Sequence, residues 1–237
     1  MPAPSPAYSW ERVGVRGDLA TGRPLLLVRF SFDTSAATMT FTPDHFDSMF
    51  AANDDPWSYK TRWYEARKRD LTLACLPAAR YANGYEPGCA NGELSAALAQ
   101  RCDRLLISDG SPEAIVAARE RVRHLPHVEV RQAWLPGHWP TERFDLIVIS
   151  EWAYYLGAED FDMLAVKIEA SLKPGGTLVA CHWRRPIPGC VLDGDAVNRR
   201  LGNQLGWPPL LGLQDGDFRL DIWSSDARSV AEREGFV

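Results

Sequence analysis

The stretch Tyr85-Glu86-Pro87-Gly88-Cys89-Ala90-Asn91-Gly92-Glu93-Leu94 decides the fold. It follows a β-rich run, Tyr81–Glu86, and opens a helical one, Leu94–Gln100, so it reads as a glycine-bearing turn between strand and helix. Glycines at 88 and 92 let the backbone turn sharply and approach a ligand, because a Cβ there would occupy the ligand's space. Backbone N–H groups at the helix start then face the ligand's polar end. A dinucleotide turn carries a middle glycine that Cys89-Ala90-Asn91 lacks, which favours a nucleoside without phosphates over a pyrophosphate.

Outward from this turn the chain alternates. Arg104–Ser108, Val128–Ala133, Asp145–Ser150 and Thr177–His182 read as strands, with helices over Pro112–Arg123 and Asp160–Leu172. That is the pattern of right-handed βαβ units and a parallel sheet. Asp109 closes the second strand, about 20 residues past the glycine turn, where a carboxylate reaches both hydroxyls of a ribose. Gly110-Ser111-Pro112 follows it as a helix start, Ser capping and Pro in the first turn. A helix-capping Asp at a surface corner is the alternative reading of Asp109. Beyond a Pro/Gly-rich loop come a helix over Asp195–Leu205 and two apolar runs, Leu210–Leu213 and Phe218–Trp223, around Gln214-Asp215-Gly216-Asp217, a turn composition that suits an antiparallel hairpin.

Upstream, Ser58 stands at a helix N-cap position after Asp55-Pro56-Trp57, and apolar spacing continues to Leu76 before Pro77. Residues 1–39 read as an N-terminal extension in which Pro24–Phe30 is either an appendage or an extra edge strand. Residues 40–224 form the expected catalytic domain and 225–237 a tail. With 237 residues, 46% hydrophobic, there is material for one α/β domain rather than two. A net charge of -5 without basic blocks points away from nucleic acid and anionic membranes, and toward a small or neutral partner. No apolar run approaches the roughly 20 residues of a membrane span, so the expectation is a cytoplasmic protein. Its five cysteines lack C-x-x-C spacing, which predicts reduced thiols and no zinc cluster.

Four motifs occur in order: Glu86-x-Gly88-Cys89-x-x-Gly92, Asp109-x-Ser111-Pro112, Phe144-Asp145-Leu146-Ile147, and Leu172-Lys173-Pro174-Gly175-Gly176-Thr177-Leu178-Val179. Together they resemble class I S-adenosylmethionine-dependent methyltransferases, which implies a Rossmann-like fold with a mixed seven-stranded sheet, five parallel strands plus the C-terminal antiparallel hairpin. Asp55-Pro56-Trp57-Ser58-Tyr59, Trp63-Tyr64-Glu65 and Ser150-Glu151-x-x-Tyr154-Tyr155-Leu156 narrow the resemblance to nodulation-type (NodS-like) N-methyltransferases. That family is known for methylating the free amine of a deacetylated amino sugar.

The resemblance implies a cofactor site for S-adenosylmethionine in which Glu86 and the Gly88-Cys89 turn hold the methionine end. Asp109, with Gly110 and Ser111, holds the ribose, and Ala133 and Trp134 border the adenine. Trp134 either stacks on that ring or is a core or lid residue. Trp57, Tyr59 and Tyr64 belong to an aromatic lid suited to a sulfonium, or, for Tyr64 above all, to a staple docking the first helix. Ser150 and Glu151 end the fourth strand at the carboxyl edge, where ligands bind in open α/β sheets. Glu151 is then the leading catalytic candidate, orienting an acceptor amine, with His182 as a relay for its proton and Tyr155 lining the opening. Glu151 as a substrate-binding residue only, and His182 as a packing histidine, are the rival readings. O-methylation of a hydroxyl or carboxyl, a non-catalytic nucleoside-binding subunit and an NAD-dependent oxidoreductase are the competing functions; the missing middle glycine counts against the last.

Overall fold

The computed structural model describes residues 16–17, 24–25, 41, 43–53 and 55–237. The chain divides into two units, residues 1–36 and 37–237. In the first, Arg16–Gly17 pairs antiparallel with Pro24–Leu25 as a separate two-stranded ribbon. The rest of the expected Pro24–Phe30 run, and most of the extension, lie outside the described residues.

The second unit is built on seven strands: β1 (Gly84–Pro87), β2 (Leu105–Asp109), β3 (Val128–Gln132), β4 (Phe144–Ser150), β5 (Leu172–Trp183), β6 (Pro209–Gln214) and β7 (Phe218–Ser224). Their order is β3-β2-β1-β4-β5-β7-β6, with β1 to β5 parallel and β7 antiparallel to both β5 and β6. The chain reverses its winding beside β1, so the carboxyl ends of β1, β2 and β4 converge on one crevice.

Strand periodicity assigns the core to two faces. On β4, Ile147 and Ile149 pack with Phe161, Leu164 and Ile168 of α5 (Ala158–Ser171) and with Val197 and Leu201 of α6 (Gly194–Leu205). Leu146 and Val148 point the other way, toward Leu98 of α3 (Glu93–Leu98) and Ile115, Ala118 and Val122 of α4 (Pro112–Val122). All four β4 side chains are fully buried, each contributing about 1.5–3 kcal/mol by leaving water.

Three local expectations change. A helix not foreseen, Pro43–Ala52, precedes the sheet; the next one covers Trp63–Ala74 rather than starting at a Ser58 cap. Ser58 has φ of +60°, and its carbonyl accepts from the Thr61 and Arg62 amides. The capping chemistry there belongs to Asp55, whose carboxylate takes the Tyr59 and Lys60 amides at 2.7 and 3.0 Å and closes a turn before the helix. Last, β5 begins at Leu172, directly after α5, and Lys173–Gly176 bulges between the paired positions Phe144↔Leu172 and Leu146↔Thr177. Among the described residues no helix is long and apolar enough to cross a membrane. All five cysteines are free, with Cys89, Cys102 and Cys181 buried.

Candidate active site

The glycine turn is held by its neighbours on β2. The Gly88 and Cys89 amides both donate to the Ser108 carbonyl, at 2.7 and 2.9 Å, and the Ala90 amide donates to Asp109 Oδ2 at 2.9 Å. Gly88, Ala90 and Gly92 all have positive φ, which winds the chain tightly between β1 and α3. The two glycines serve different contacts. A Cβ on Gly88 would lie 2.6 Å from Trp152 Cδ1, at the crevice; one on Gly92 would lie 3.1 Å from the Ala118 backbone of α4, away from it. The Gly92 position thus faces α4, where the absence of a side chain lets α3 pack closely.

From this turn a cleft runs past Asp109, Gly110, Ala133, Trp134 and Ser150. Asp109 also accepts the Ser111 amide at 3.0 Å; burial raises its carboxyl pKa, against the pull of those backbone amides. Trp134 lies so close against Gly110 that a Cβ there would sit 2.1 Å from its ring. Ser111 is the side-chain cap of α4 and does not line the cleft. A roof of aromatic rings covers it: Phe46 of α1 (Pro43–Ala52) lies 6.3 Å from Trp134 and 5.1 Å from Tyr155, and Phe50 lies 5.6 Å from Trp57. Asp55 ties this roof to the glycine turn through Asn91 Nδ2, at 3.0 Å.

A second cleft continues from Gly88 to Cys89 and Glu86. Glu86 is 2% exposed, and its Oε2 has no hydrogen-bond partner. Burial pushes its carboxyl up to about 8.

The third cleft, of about 510 Å³, opens on the α2 (Trp63–Ala74) side, between Trp57, Tyr64, Tyr154, Tyr155 and Trp183. Tyr59 and Glu151 line all three clefts, so the crevices meet there. Glu151 has φ of +62°, a strained position for a residue with a side chain. Its carboxylate is fully engaged: Oε1 accepts from Lys68 Nζ at 2.5 Å, and Oε2 from the Tyr154 hydroxyl at 2.7 Å and the Trp183 amide at 2.8 Å. Lys68, from α2, also pairs with Glu65 Oε2 at 3.0 Å. Burial opposes charge on all three groups, but the two carboxylates outweigh it at Lys68, whose pKa is raised, and Lys68 outweighs it at Glu151, whose pKa is lowered. Glu65 keeps a raised pKa.

The crevice therefore gathers Trp57, Tyr59, Glu86, Gly88, Cys89, Asp109, Gly110, Ala133, Trp134, Ser150, Glu151 and Tyr155 from the sequence-predicted set. Tyr64 faces the third cleft, edge-on to Trp183 at 5.7 Å and Phe218 at 6.3 Å, the kind of contact that docks a helix, and its helix starts four residues later than a Ser58 cap implied. His182 stands away from the crevice. It is fully buried and lines none of the three clefts, and its Nδ1 donates to Asn198 Oδ1 at 2.8 Å in a network that includes Asp221. Burial holds its pKa near 4, so it is neutral at pH 7 and packs α6 against the sheet. Lys68 is what the sequence reading missed, together with a role for Glu65. The buried face of α2 is Glu65, Lys68 and Thr72, a polar stripe at helical spacing that no hydrophobic pattern reveals.

These clefts fit one extended ligand with an aromatic base, a diol and an ammonium. The first offers aromatic rings, then a buried carboxylate at Asp109; the second ends on the orphaned Glu86 Oε2. Comparison with known proteins agrees. A profile of the Nodulation protein S (NodS) family matches residues 46–190. Nodulation protein S of Rhizobium tropici is 37% identical over 54% of this chain and 55% of its own length, so the match spans about half of that relative. The protein of the same name from Sinorhizobium fredii is 31% identical over 68% of this chain and 71% of its own. Among solved structures, a Pseudomonas syringae protein assigned to the methyltransferases shares 50% identity, with a TM-score of 0.62, covering 69% of this chain and 99% of that one. The N-methyltransferase NodS of Bradyrhizobium japonicum, crystallised with S-adenosylhomocysteine, shares 25%, with a TM-score of 0.66, covering 78% and 98%. Fold, crevice and relatives converge: this chain belongs to the NodS family of S-adenosylmethionine-dependent methyltransferases.

Proposed function

We propose that the protein methylates the nitrogen of an amine on a small molecule, an amino sugar being the acceptor class that suits the cleft best. The observation that carries this reading is the meeting of the clefts at Tyr59 and Glu151, where the acceptor side presents carboxylates and aromatic faces. Both attract an ammonium group, the rings through their quadrupoles. The name of the Bradyrhizobium relative, an N-methyltransferase, supports the same choice.

In this reading Glu86, the Gly88 turn, Asp109 and the Trp134 face hold S-adenosylmethionine, which supplies the methyl group when bound. The chain's own work is positioning. Holding donor and acceptor in line removes most of the entropic barrier to a bimolecular displacement. The α1 and Trp57 roof excludes water, and Glu151, held as an anion by Lys68, supplies fixed negative charge beside the acceptor.

Titration calorimetry with S-adenosylhomocysteine and with NAD, followed by transfer assays on glucosamine and N-acetylglucosamine, tests the proposal. Expected are micromolar binding of the homocysteine alone, about 10²-fold weaker in Asp109→Ala after loss of two charge-assisted hydrogen bonds, and methylation of glucosamine only. Binding of NAD, or equal methylation of both sugars, would overturn it; the latter points to a hydroxyl acceptor.

A further inference from the structure

Resting on the N-methylation reading, we infer that Glu65, and not Glu151, is the carboxylate that takes the proton from the acceptor ammonium, with Lys68 and Glu151 as the fixed pair that positions it. The argument is one of free lone pairs. Glu151 spends both oxygens on three donors, Lys68, Tyr154 and the Trp183 amide. Glu65 spends one oxygen on Lys68 and has no other bond among those of the described residues. It lines the third cleft and also the second, so it borders the acceptor space and the methionine end at once.

Charge sorts the two carboxylates in the same sense. Glu151 is held below the usual carboxylate range by Lys68, despite burial, which makes it a poor base. Burial raises Glu65, with Glu151 adding to the effect while Lys68 and Arg69 oppose it, which makes it a better one. Two carboxylates in neighbouring surroundings with opposite shifts is the arrangement by which sites divide roles. The groups facing Glu65 are Lys68 and Arg69 on its own helix, Glu151 at the end of β4, Cys181 on β5, and Tyr59 and Tyr64.

The step balances simply. The ammonium gives its proton to Glu65, and the nitrogen keeps the electron pair. That pair forms the new N–C bond, while the electrons of the broken C–S bond stay on sulfur.

The test compares wild type, Glu65→Gln and Glu151→Gln. Each is measured for S-adenosylhomocysteine affinity, for calorimetric binding of glucosamine to the homocysteine complex, and for methyl transfer to glucosamine from pH 6 to 10. The amide of Glu65→Gln can still accept from Lys68, and Lys68 keeps Glu151, so the fold is retained. Expected for Glu65→Gln are homocysteine affinity within about twofold, and kcat at pH 7 lowered by about 10²-fold or more, the range for a lost general base. The deficit should shrink toward pH 10 as solution deprotonates the amine, and glucosamine binding at pH 7 should weaken. Glu151→Gln should lower kcat with no such recovery.

Wild-type kcat in Glu65→Gln overturns the inference alone, as does a high-pH recovery seen in Glu151→Gln instead. Loss of homocysteine affinity with kcat unchanged at saturating cofactor assigns Glu65 to the cofactor and also overturns it. No transfer to glucosamine by wild type overturns the amino-sugar reading beneath it.

Discussion

The two edges of the crevice are made in opposite ways. The cofactor edge is short-range and rests on backbone conformation: Asp109 takes the amides of Ser111, two residues on, and of Ala90, 19 back, and positive-φ positions wind the turn. The acceptor edge is long-range and rests on charge. Lys68 reaches Glu151 across 83 residues of sequence, and Glu151 reaches the Trp183 amide across 32. The difference teaches where each edge is vulnerable. Backbone turns tolerate loss of a single side chain, whereas a buried ion cluster fails when one member is removed and the others are left charged in a low dielectric.

The largest expected effect follows directly. Lys68→Met removes the cation that, among the described residues, pairs with both Glu151 and Glu65, at 6% exposure. Breaking a buried pair costs about 3–5 kcal/mol, a fall in Tm on the order of 10 °C for a domain of this size. The sign with pH follows from the shifts. Glu151, lowered by Lys68, contributes stability above the ordinary carboxylate pKa that is lost as pH falls through its folded value. Lys68, raised, keeps its contribution up to its unfolded pKa. The deficit should therefore span roughly pH 5 to 10 and narrow in acid, when the stranded carboxylates protonate. Circular-dichroism melts at pH 5, 7 and 9 check this. A change under about 1 kcal/mol at pH 7 would erase the contrast between the edges.

The same contrast explains what was legible in the sequence. Gly88, Asp109 and Ser150 could be placed because strand ends and turn residues fix them locally, whatever packs above. Lys68 was not legible, because its partner lies on another element and its helix buries a polar stripe that hydrophobic periodicity ignores. His182 was placed on the right strand, but alternation along β5 could not say that its side chain meets Asn198 of α6 rather than the crevice. Ser58 misled because Asp55, three residues earlier, closes the turn a cap would have closed.

On the cofactor edge Asp109 is held by backbone amides, whereas Glu86 keeps an unpartnered carboxylate oxygen, and it predicts an effect of the opposite sign. Its folded pKa near 8 stands above the ordinary 4.5, so its stabilising contribution is present below about pH 4.5 and is lost as pH rises through 8. Glu86→Gln should gain thermal stability relative to wild type over that interval, by a few kcal/mol. If the ligand's ammonium ionises Glu86, wild type should release most of one proton on binding S-adenosylhomocysteine at pH 7, and the variant close to none. Calorimetry in phosphate and in Tris, whose ionisation heats differ, counts that proton. A proton count of zero in wild type would remove Glu86 from the ammonium site and leave Asp109, held by backbone amides, as that edge's carboxylate.

The smallest expected effect separates the two glycines of the turn. At Gly92, φ of +80° and a Cβ 3.1 Å from the Ala118 backbone both oppose alanine. The cost is about 1–2 kcal/mol, from left-handed strain and a contact that backbone relieves poorly. Because that contact belongs to α3 on α4, Gly92→Ala should lower Tm by several degrees and leave S-adenosylhomocysteine affinity within about twofold. Gly88→Ala meets the Trp152 ring, which borders the cleft and has to move, so there affinity should fall together with stability. The reverse outcome, a large loss of affinity in Gly92→Ala at unchanged Tm, would mean that this glycine's work is ligand approach after all. The turn would then be a cradle along its whole length rather than a cradle at Gly88 and a helix-packing joint at Gly92.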